Sequence, residues 1–404
     1  MTAPTANREA AGPRVVITHA LRTPIGRYLG SFSELSGADL GTSVVRSLLE
    51  QASLDPAEVG EVFMGYGRQA GAGPNPARQI SVRAGIPVTT CATTVNMACG
   101  SGLKAIEMAS DAIRLGRAEV AVAGGTETMS GLPYFLPKMR SGYRLGHGKV
   151  VDAMYQDGFH CPLADMPMGA TAENLARQLE IGRTEQDEYA LRSQNLAEEA
   201  WEAGRFDSQV APVEVTGRKG AVTVIERDEH PRPGSTLEGL AKLPPVFDRE
   251  AGTVTAGNSS GITDGAAALL LMTEERAAAL GLEVLAVVGP SAQSGVDPTT
   301  MGVGPVPAIR ELCARHGRSV DDWELVELNE AFAAQVIACV RELELPMDRL
   351  NVNGGSIALG HPIGATGARI VVTLLHEMQR QGLSRGLATL CMSGGMGMAT
   401  EFTR

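Results

Sequence analysis

One layout occurs twice in this chain, and it constrains the fold more than any other feature. Small residues Gly100, Ser101 and Gly102 open a stretch in which Leu103, Ile106, Met108, Ala109, Ile113 and Leu115 recur at helical intervals. Gly116 stops that helix, and an apolar strand, Glu119 to Ala123, then ends in Gly124-Gly125. Near the other end the order returns. His361 and Pro362, with Pro362 at the first helical position, precede Gly364-Ala365-Thr366-Gly367. Ile370, Val371, Leu374, Leu375 and Met378 mark a helix, and a strand from Leu387 to Cys391 ends near Gly394-Gly395. Turn, helix, strand and double glycine at 99–125 and at 361–395 predict an α/β chain of two similar halves facing each other. Active-site groups are then expected at matched loop ends.

The remaining elements fit that plan. A strand is predicted over Arg14 to Ala20, a helix over Asp39 to Gln51 and a strand over Glu61 to Tyr66. At 404 residues the chain exceeds the size at which a single core stops growing. Residues 130 to 260 are less regular, with one clear helical stretch from Thr184 to Gly204. That block is too long for a loop and reads as an inserted subdomain, a lid or ligand-binding cap.

Charge narrows the function classes. The net charge of −11 disfavours non-specific attraction to nucleic acid or anionic lipid, and 4% aromatic residues offer few stacking platforms. Neither a nucleic-acid partner nor a membrane is expected. An anionic ligand must meet a local basic patch, for which Arg218, Lys219, Arg227, Arg232 and Lys242 are candidates; each of them alone is more often a solvated surface charge. The longest apolar runs, such as Gly265 to Met272, fall far short of a bilayer span. Met1 to Gly12 read as a small polar tail and Glu401 to Arg404 carry no targeting tripeptide, so the cytoplasm is the expected compartment. The six cysteines, Cys91, Cys99, Cys161, Cys313, Cys339 and Cys391, lack a metal-binding spacing and read as reduced thiols, with no metal site expected.

Two of those thiols stand in unusual places. Cys99, inside Asn96-Met97-Ala98-Cys99-Gly100-Ser101-Gly102, begins a predicted helix whose N-terminal N–H groups are expected to lower its pKa. Taken alone, a cysteine in a glycine-rich turn is more often structural. Cys391, in Cys391-Met392-Ser393-Gly394-Gly395-Met396-Gly397, ends a strand over a glycine turn; it can act as acid or base while the following N–H groups face an oxyanion. His361 precedes a helix among small residues and can accept a thiol proton or donate to an oxyanion. Asn329 and Glu330 sit where a strand stops and a helix begins, and Asn329 by itself is as good an N-cap as a site residue.

In combination, the Cys99 segment, Asn329-Glu330-Ala331-Phe332, Gly360-His361-Pro362-Ile363-Gly364-Ala365 and the Cys391 segment resemble the four signature segments of the thiolase family. The resemblance runs over nearly the whole chain. Leu21-Arg22-Thr23-Pro24-Ile25-Gly26, Met168-Gly169-Ala170-Thr171-Ala172-Glu173-Asn174 and Thr253 to Gly261 followed by Asp264-Gly265-Ala266-Ala267 add to it.

The resemblance implies the thiolase fold: two similar βαβαβαββ halves in five layers, α/β/α/β/α, with an inserted loop domain. It divides the chain into an N-terminal half at 1–129 completed by 263–285, a loop domain at 130–262 for coenzyme A binding and tetramerisation, and a C-terminal half at 286–404. It implies an acetyl-CoA C-acyltransferase in which His361 activates Cys99 to carry the acyl group and Cys391 exchanges the α-proton of acetyl-CoA. One oxyanion site would use His361 with a water held by Asn329, the other the backbone N–H groups of Cys99 and Ser393. Coenzyme A contacts map to Arg232, Phe247, Ala256, Ser260, Met168, Ala331 and Phe332. Acyl-CoA is substrate, with no permanently bound cofactor, and a homodimer or homotetramer working in fatty acid metabolism such as β-oxidation is expected. Two positions depart from the pattern. Many members have glycine where Ser393 stands, although only its N–H is used. Pro167 replaces the histidine of many acetyl-specific members, so an acetoacetyl-only preference does not follow. Other readings are a ketoacyl-synthase-like condensing enzyme, which usually lacks the second cysteine, and a non-catalytic acyl-CoA or lipid binder.

Overall fold

The computed structural model describes residues 12–217 and 219–404. The tail expectation for Met1 to Gly12 therefore falls almost wholly, and Arg218 wholly, outside the described residues. Among the described residues a 10-stranded mixed sheet runs through both halves. Its order is Leu325–Leu328, Arg385–Met392, Met396–Thr403, Ala286–Gly295, Val15–Arg22, Thr263–Thr273, Val120–Glu127, Glu61–Gly65 and Cys91–Val95, with Gly26–Arg27 pairing off the path. The halves join through a short antiparallel pairing, Val16 with Val287 and Ile17 with Ala286. In each half two antiparallel ladders lead to parallel pairing at the outer edge.

Period-2 alternation lets one strand serve two cores. Ala267, Leu269 and Leu271 face an inner core, while Ala266, Ala268, Leu270 and Met272 face an outer one. Val120 and Val122 again point outward, and Ala121 and Ala123 inward. On the other half, Ala388 and Leu390 join the inner core, and Leu387 a separate outer one. Strands buried on both faces read as continuous apolar runs, which is why Leu269 to Met272 shows no polar alternation.

The inner core holds the two helices that follow the candidate loops, Ser101–Arg114 and Ile363–Gln381. They form the middle layer, and Gly37–Gln51 covers the outer face of one half while Pro305–His316 and Ala333–Leu343 cover the other. This is the five-layered arrangement the resemblance implies. The middle helices meet where side chains are smallest: a Cβ on Gly102 would stand 2.6 Å from the Ala368 nitrogen. That close approach brings two loops, far apart in sequence, to one point.

Several local expectations need correction. The first helix begins at Gly37 rather than Asp39, because Ser36 and Asp39 form a capping box, with Asp39 N–H donating to Ser36 Oγ at 3.2 Å. Gly124-Gly125 does not end its strand; Val120–Glu127 continues through it. A Cβ on Gly125 would collide with the Gly364 carbonyl oxygen, so the glycine serves close packing against the other half. Pro362 is the N-cap of its helix, one residue outside the predicted position. Asn329 is not an N-cap, since Phe332 takes that position for Ala333–Leu343.

The middle block carries the helices Met168–Gln178 and Arg183–Glu202 and three short two-stranded ribbons. No helix among the described residues is long and apolar enough to cross a membrane, and no group of three or more His, Cys, Asp or Glu is placed to hold a metal.

Candidate active site

Cys99 sits two residues before the helix Ser101–Arg114, in a loop that is held rather than loose. Ala98 has φ 48°, a left-handed conformation uncommon for a side chain with a Cβ. Ser101 Oγ accepts from Met97 N–H at 2.9 Å and donates to Ala98 O at 2.6 Å, and Asn96 Oδ1 accepts from Ala98 N–H at 3.1 Å. These bonds hold the strained residue, so the sulfur of Cys99 has a fixed direction.

His361 arrives from the opposite half. Its backbone N–H donates to Gly261 O at 3.2 Å, and its Nε2 lies 3.2 Å from Cys99 Sγ. Nδ1 lies 2.6 Å from Thr366 Oγ1, whose hydroxyl is positioned 3.0 Å from Pro362 O. If the hydroxyl proton goes to that carbonyl, which can only accept, Nδ1 carries the ring proton and Nε2 keeps a lone pair toward the thiol. Burial, with the charges of Arg369 and Arg68 adding, holds the imidazole down to about 3. It is therefore neutral at physiological pH and able to accept a proton.

The thiol itself departs from expectation. A helix N-terminus was expected to lower the Cys99 pKa, but burial raises it, outweighing Arg68 and the backbone N–H groups of Ser393 and Cys99 that favour the thiolate. Desolvation wins because Cys99 is buried, only 8% exposed as a residue. The resting pair is thus thiol and neutral imidazole, with two N–H groups already directed at the sulfur.

Cys391 ends the strand Arg385–Met392 and is fully buried. Burial pushes its thiol well up, and Cys99 and Cys339 push it further. Its turn continues through Gly394 and Gly395, both at positive φ. Asn329 follows the strand Leu325–Leu328, and its Oδ1 accepts from Ser356 Oγ at 2.6 Å, which in turn accepts from the Arg369 guanidinium at 2.6 Å. Its buried Nδ2 has no hydrogen-bond partner among the described residues, so it keeps a free donor. Glu330 plays a different part, accepting from Tyr189, Ser193, Asn351 and the Ile357 N–H. It ties the inserted block to this loop.

A cavity of about 280 Å³ opens onto Cys99, His361 and Ser393. Met168, Phe247, Ala256, Ser260, Ala331 and Phe332 line it too, whereas Asn329, Cys391 and Arg232 are not among its lining residues. Arg232 N–H instead donates to Gln194 Oε1 at 2.9 Å. Ser260 N–H donates to Ala331 O at 3.0 Å, which lays the two lining segments against each other. Of the other expected basic residues, Lys219, Arg227 and Lys242 do not line the cavity either, and Arg227 stacks over Trp201 at 4.8 Å.

Sequence reasoning missed Arg68, Thr366 and Glu127. Arg68 lines the cavity from the loop after Glu61–Gly65. Glu127 accepts from the N–H groups of Gly67, Arg68 and Gly364, and burial pushes its carboxyl up to about 7. An acidic residue closing an apolar strand was the only available signal for Glu127; Arg68 had none.

Comparison with known proteins places this geometry. Residues 15–275 match the family model "Thiolase, N-terminal domain" and residues 282–404 match "Thiolase, C-terminal domain". An acetyl-CoA acetyltransferase of Pseudomonas aeruginosa is 51% identical over 96% of this chain and 99% of its own length. A probable acetyl-CoA acyltransferase of Staphylococcus epidermidis is 49% identical over 97% of this chain and 99% of its own. Among solved structures, the Bacillus anthracis acetyl-CoA acetyltransferase superposes with a TM-score of 0.95 at 45% identity, covering 97% of this chain and 99% of that one. Human mitochondrial 3-ketoacyl-CoA thiolase gives 0.93 at 41% identity with the same coverage. With both family domains matched end to end and a shared fold at such identity, this chain belongs to the thiolase family.

Proposed function

We propose that the protein is an acetyl-CoA C-acyltransferase that joins two acyl-CoA molecules, or cleaves a 3-ketoacyl-CoA with free coenzyme A, through an acyl-Cys99 intermediate. The observation that carries this reading is the 3.2 Å approach of His361 Nε2 to Cys99 Sγ at the floor of the cavity. In the condensing direction His361 takes and holds the Cys99 proton, the sulfur attacks the thioester carbon, and the expelled coenzyme A takes the proton of Cys391, leaving that sulfur as a thiolate. Cys391 then removes an α-proton from a second acetyl-CoA. The resulting enolate attacks the acyl-Cys99 carbonyl, and Cys99 leaves as the thiolate that His361 reprotonates. Thiolysis is the reverse.

Two oxyanions need donors in this scheme. The N–H groups of Cys99 and Ser393 serve the thioester oxygen at Cys99, and His361 with a water on Asn329 Nδ2 serves the enolate. The free Nδ2 donor supports the second assignment. Met168, Phe247, Ala256, Ser260, Ala331 and Phe332 would contact the pantetheine arm, and Arg232 a phosphate outside the cavity. Coenzyme A enters as substrate, without a permanently bound cofactor.

In the same reading 1–129 with 263–285 and 286–404 are the two catalytic halves, and 130–262 is the loop domain that binds coenzyme A. A homodimer or homotetramer acting in the cytoplasm, in fatty acid metabolism such as β-oxidation, completes it; light scattering on the purified protein measures the assembly. The direct test is to mix the protein with acetoacetyl-CoA and coenzyme A, then with longer 3-ketoacyl-CoA substrates. Formation of acetyl-CoA supports the reading, and silence across all chain lengths rejects it.

A further inference from the structure

Arg68 stands out among the cavity residues. It is only 5% exposed, and among the described residues it is the one charged side chain on the lining, His361 being neutral. The walls around it are Met129, Phe159, Met168, Met301, Ile363 and Phe332. Among the described residues no carboxylate lies within 4.0 Å of its guanidinium. Its hydrogen bonds are few: among the described residues Nε has no partner, and Nη1 reaches Gly67 O only at 3.4 Å.

A buried guanidinium with so few partners is costly unless something supplies an anion. Glu127, whose carboxyl feels the Arg68 charge, is a candidate within the protein, but its oxygens accept from three backbone N–H groups and from no N–H of the guanidinium. Gly158 lies against the guanidinium, where a Cβ would stand 2.5 Å from Nε and 3.1 Å from Cζ. Asn96 Nδ2 donates to Gly67 O at 3.1 Å, which ties the loop of Arg68 to the loop of Cys99 and puts Arg68 on the cavity lining at its reacting end, with Cys99 and His361. The missing anion is therefore on the acyl group.

We propose that Arg68 forms a carboxylate-recognising subsite for the acyl chain, so that the protein prefers coenzyme A thioesters whose acyl group ends in a carboxylate, such as monothioesters of 3-oxo-dicarboxylic acids. This rests on the proposed acyltransferase function. A planar guanidinium fork matches a carboxylate in two parallel hydrogen bonds, and the dry apolar walls strengthen that pairing. A methyl-terminated chain of the same length leaves the fork unsatisfied.

The test compares thiolysis of two 3-oxoacyl-CoA substrates of equal length, one ending in a carboxylate and one in a methyl group. The wild-type protein is expected to favour the carboxylate by about 10- to 100-fold in kcat/KM, the range of a charge-assisted hydrogen bond. Arg68→Leu and Arg68→Gln should both erase that ratio, and Arg68→Lys should keep part of it. A wild-type preference for the methyl-terminated chain overturns the proposal. So does an equal loss on both substrates in the variants, because Arg68 would then act on Cys99 alone. The same ratio read as Kd on Cys99→Ala protein decides the subsite even if no substrate is turned over, an outcome that would remove the acyltransferase reading but leave the binding preference measurable.

Discussion

Thr366 fixes the direction of the His361 ring. With its hydroxyl donating to Pro362 O at 3.0 Å, its oxygen accepts from Nδ1 at 2.6 Å, and in that tautomer the Nε2 lone pair faces Cys99. Both residues lie in one loop and helix start, and only five positions separate them. Thr366→Val keeps the shape and removes the acceptor. It should lower kcat by about 10- to 100-fold, a part of the ~10²–10⁴ that a positioned general base supplies. KM should barely move. An unchanged kcat would show that the ring needs no such anchor.

The thiol–imidazole pair makes a pH prediction. Burial raises the Cys99 pKa, so the folded protein favours the protonated thiol and the thiolate appears only as pH rises past the ordinary value of ~8.5. Iodoacetamide labelling of Cys99, followed by peptide mass, should therefore climb about tenfold per unit from pH 6 to pH 8 without levelling. A plateau below pH 7 would reveal a preformed thiolate–imidazolium pair. His361 works in the same sense, since an imidazole held down to about 3 does not carry the proton in that range.

The two cysteines should separate by half-reaction. Cys391→Ala removes a fully buried sulfur from beside Cys99 without touching the His361 contact. Radiolabelled acetyl-CoA should still acetylate Cys99 in the variant, while deuterium exchange at the acetyl α-carbon and net condensation fall by about 10²-fold or more. Cys99→Ala should lose covalent labelling altogether. Equal exchange in wild-type and Cys391→Ala protein would assign the α-proton to another group.

Close packing between the halves should be measurable as stability. A methyl group on Gly125 collides with the Gly364 carbonyl, which belongs to the helix start beside His361. Gly125→Ala is expected to cost about 1–3 kcal/mol and to lower activity more than its loss of folded protein accounts for. Gly116→Ala is the control: a Cβ there meets nothing within 4 Å, and the cost comes only from its φ of 69°. A larger fall in Tm for the Gly116 variant would contradict this account.

Much of the chain's layout was readable in advance. The repeat of small-residue turn, helix and strand located Cys99 and His361 at the two loops that the structure joins, because apolar periodicity reports burial faces directly. Element ends were less readable: the strand through Gly124-Gly125 runs on to Glu127, since Gly124 answers to the Ala267 carbonyl and Gly125 to a carbonyl 239 positions away, that of Gly364. Arg68 was invisible for a similar reason. One arginine after a strand looks like any surface charge until the cavity is assembled around it.

The sequence by itself determined which residues could carry chemistry, the two-half α/β plan and the family, because these depend on residue type, spacing and local propensity. The tertiary structure decided the state of those residues. Whether Cys99 rests as thiol or thiolate, which nitrogen of His361 faces it and what charge lines the cavity all depend on burial and on partners from distant segments. Desolvation and hydrogen-bond direction are properties of assembled neighbours, and no stretch of sequence contains them.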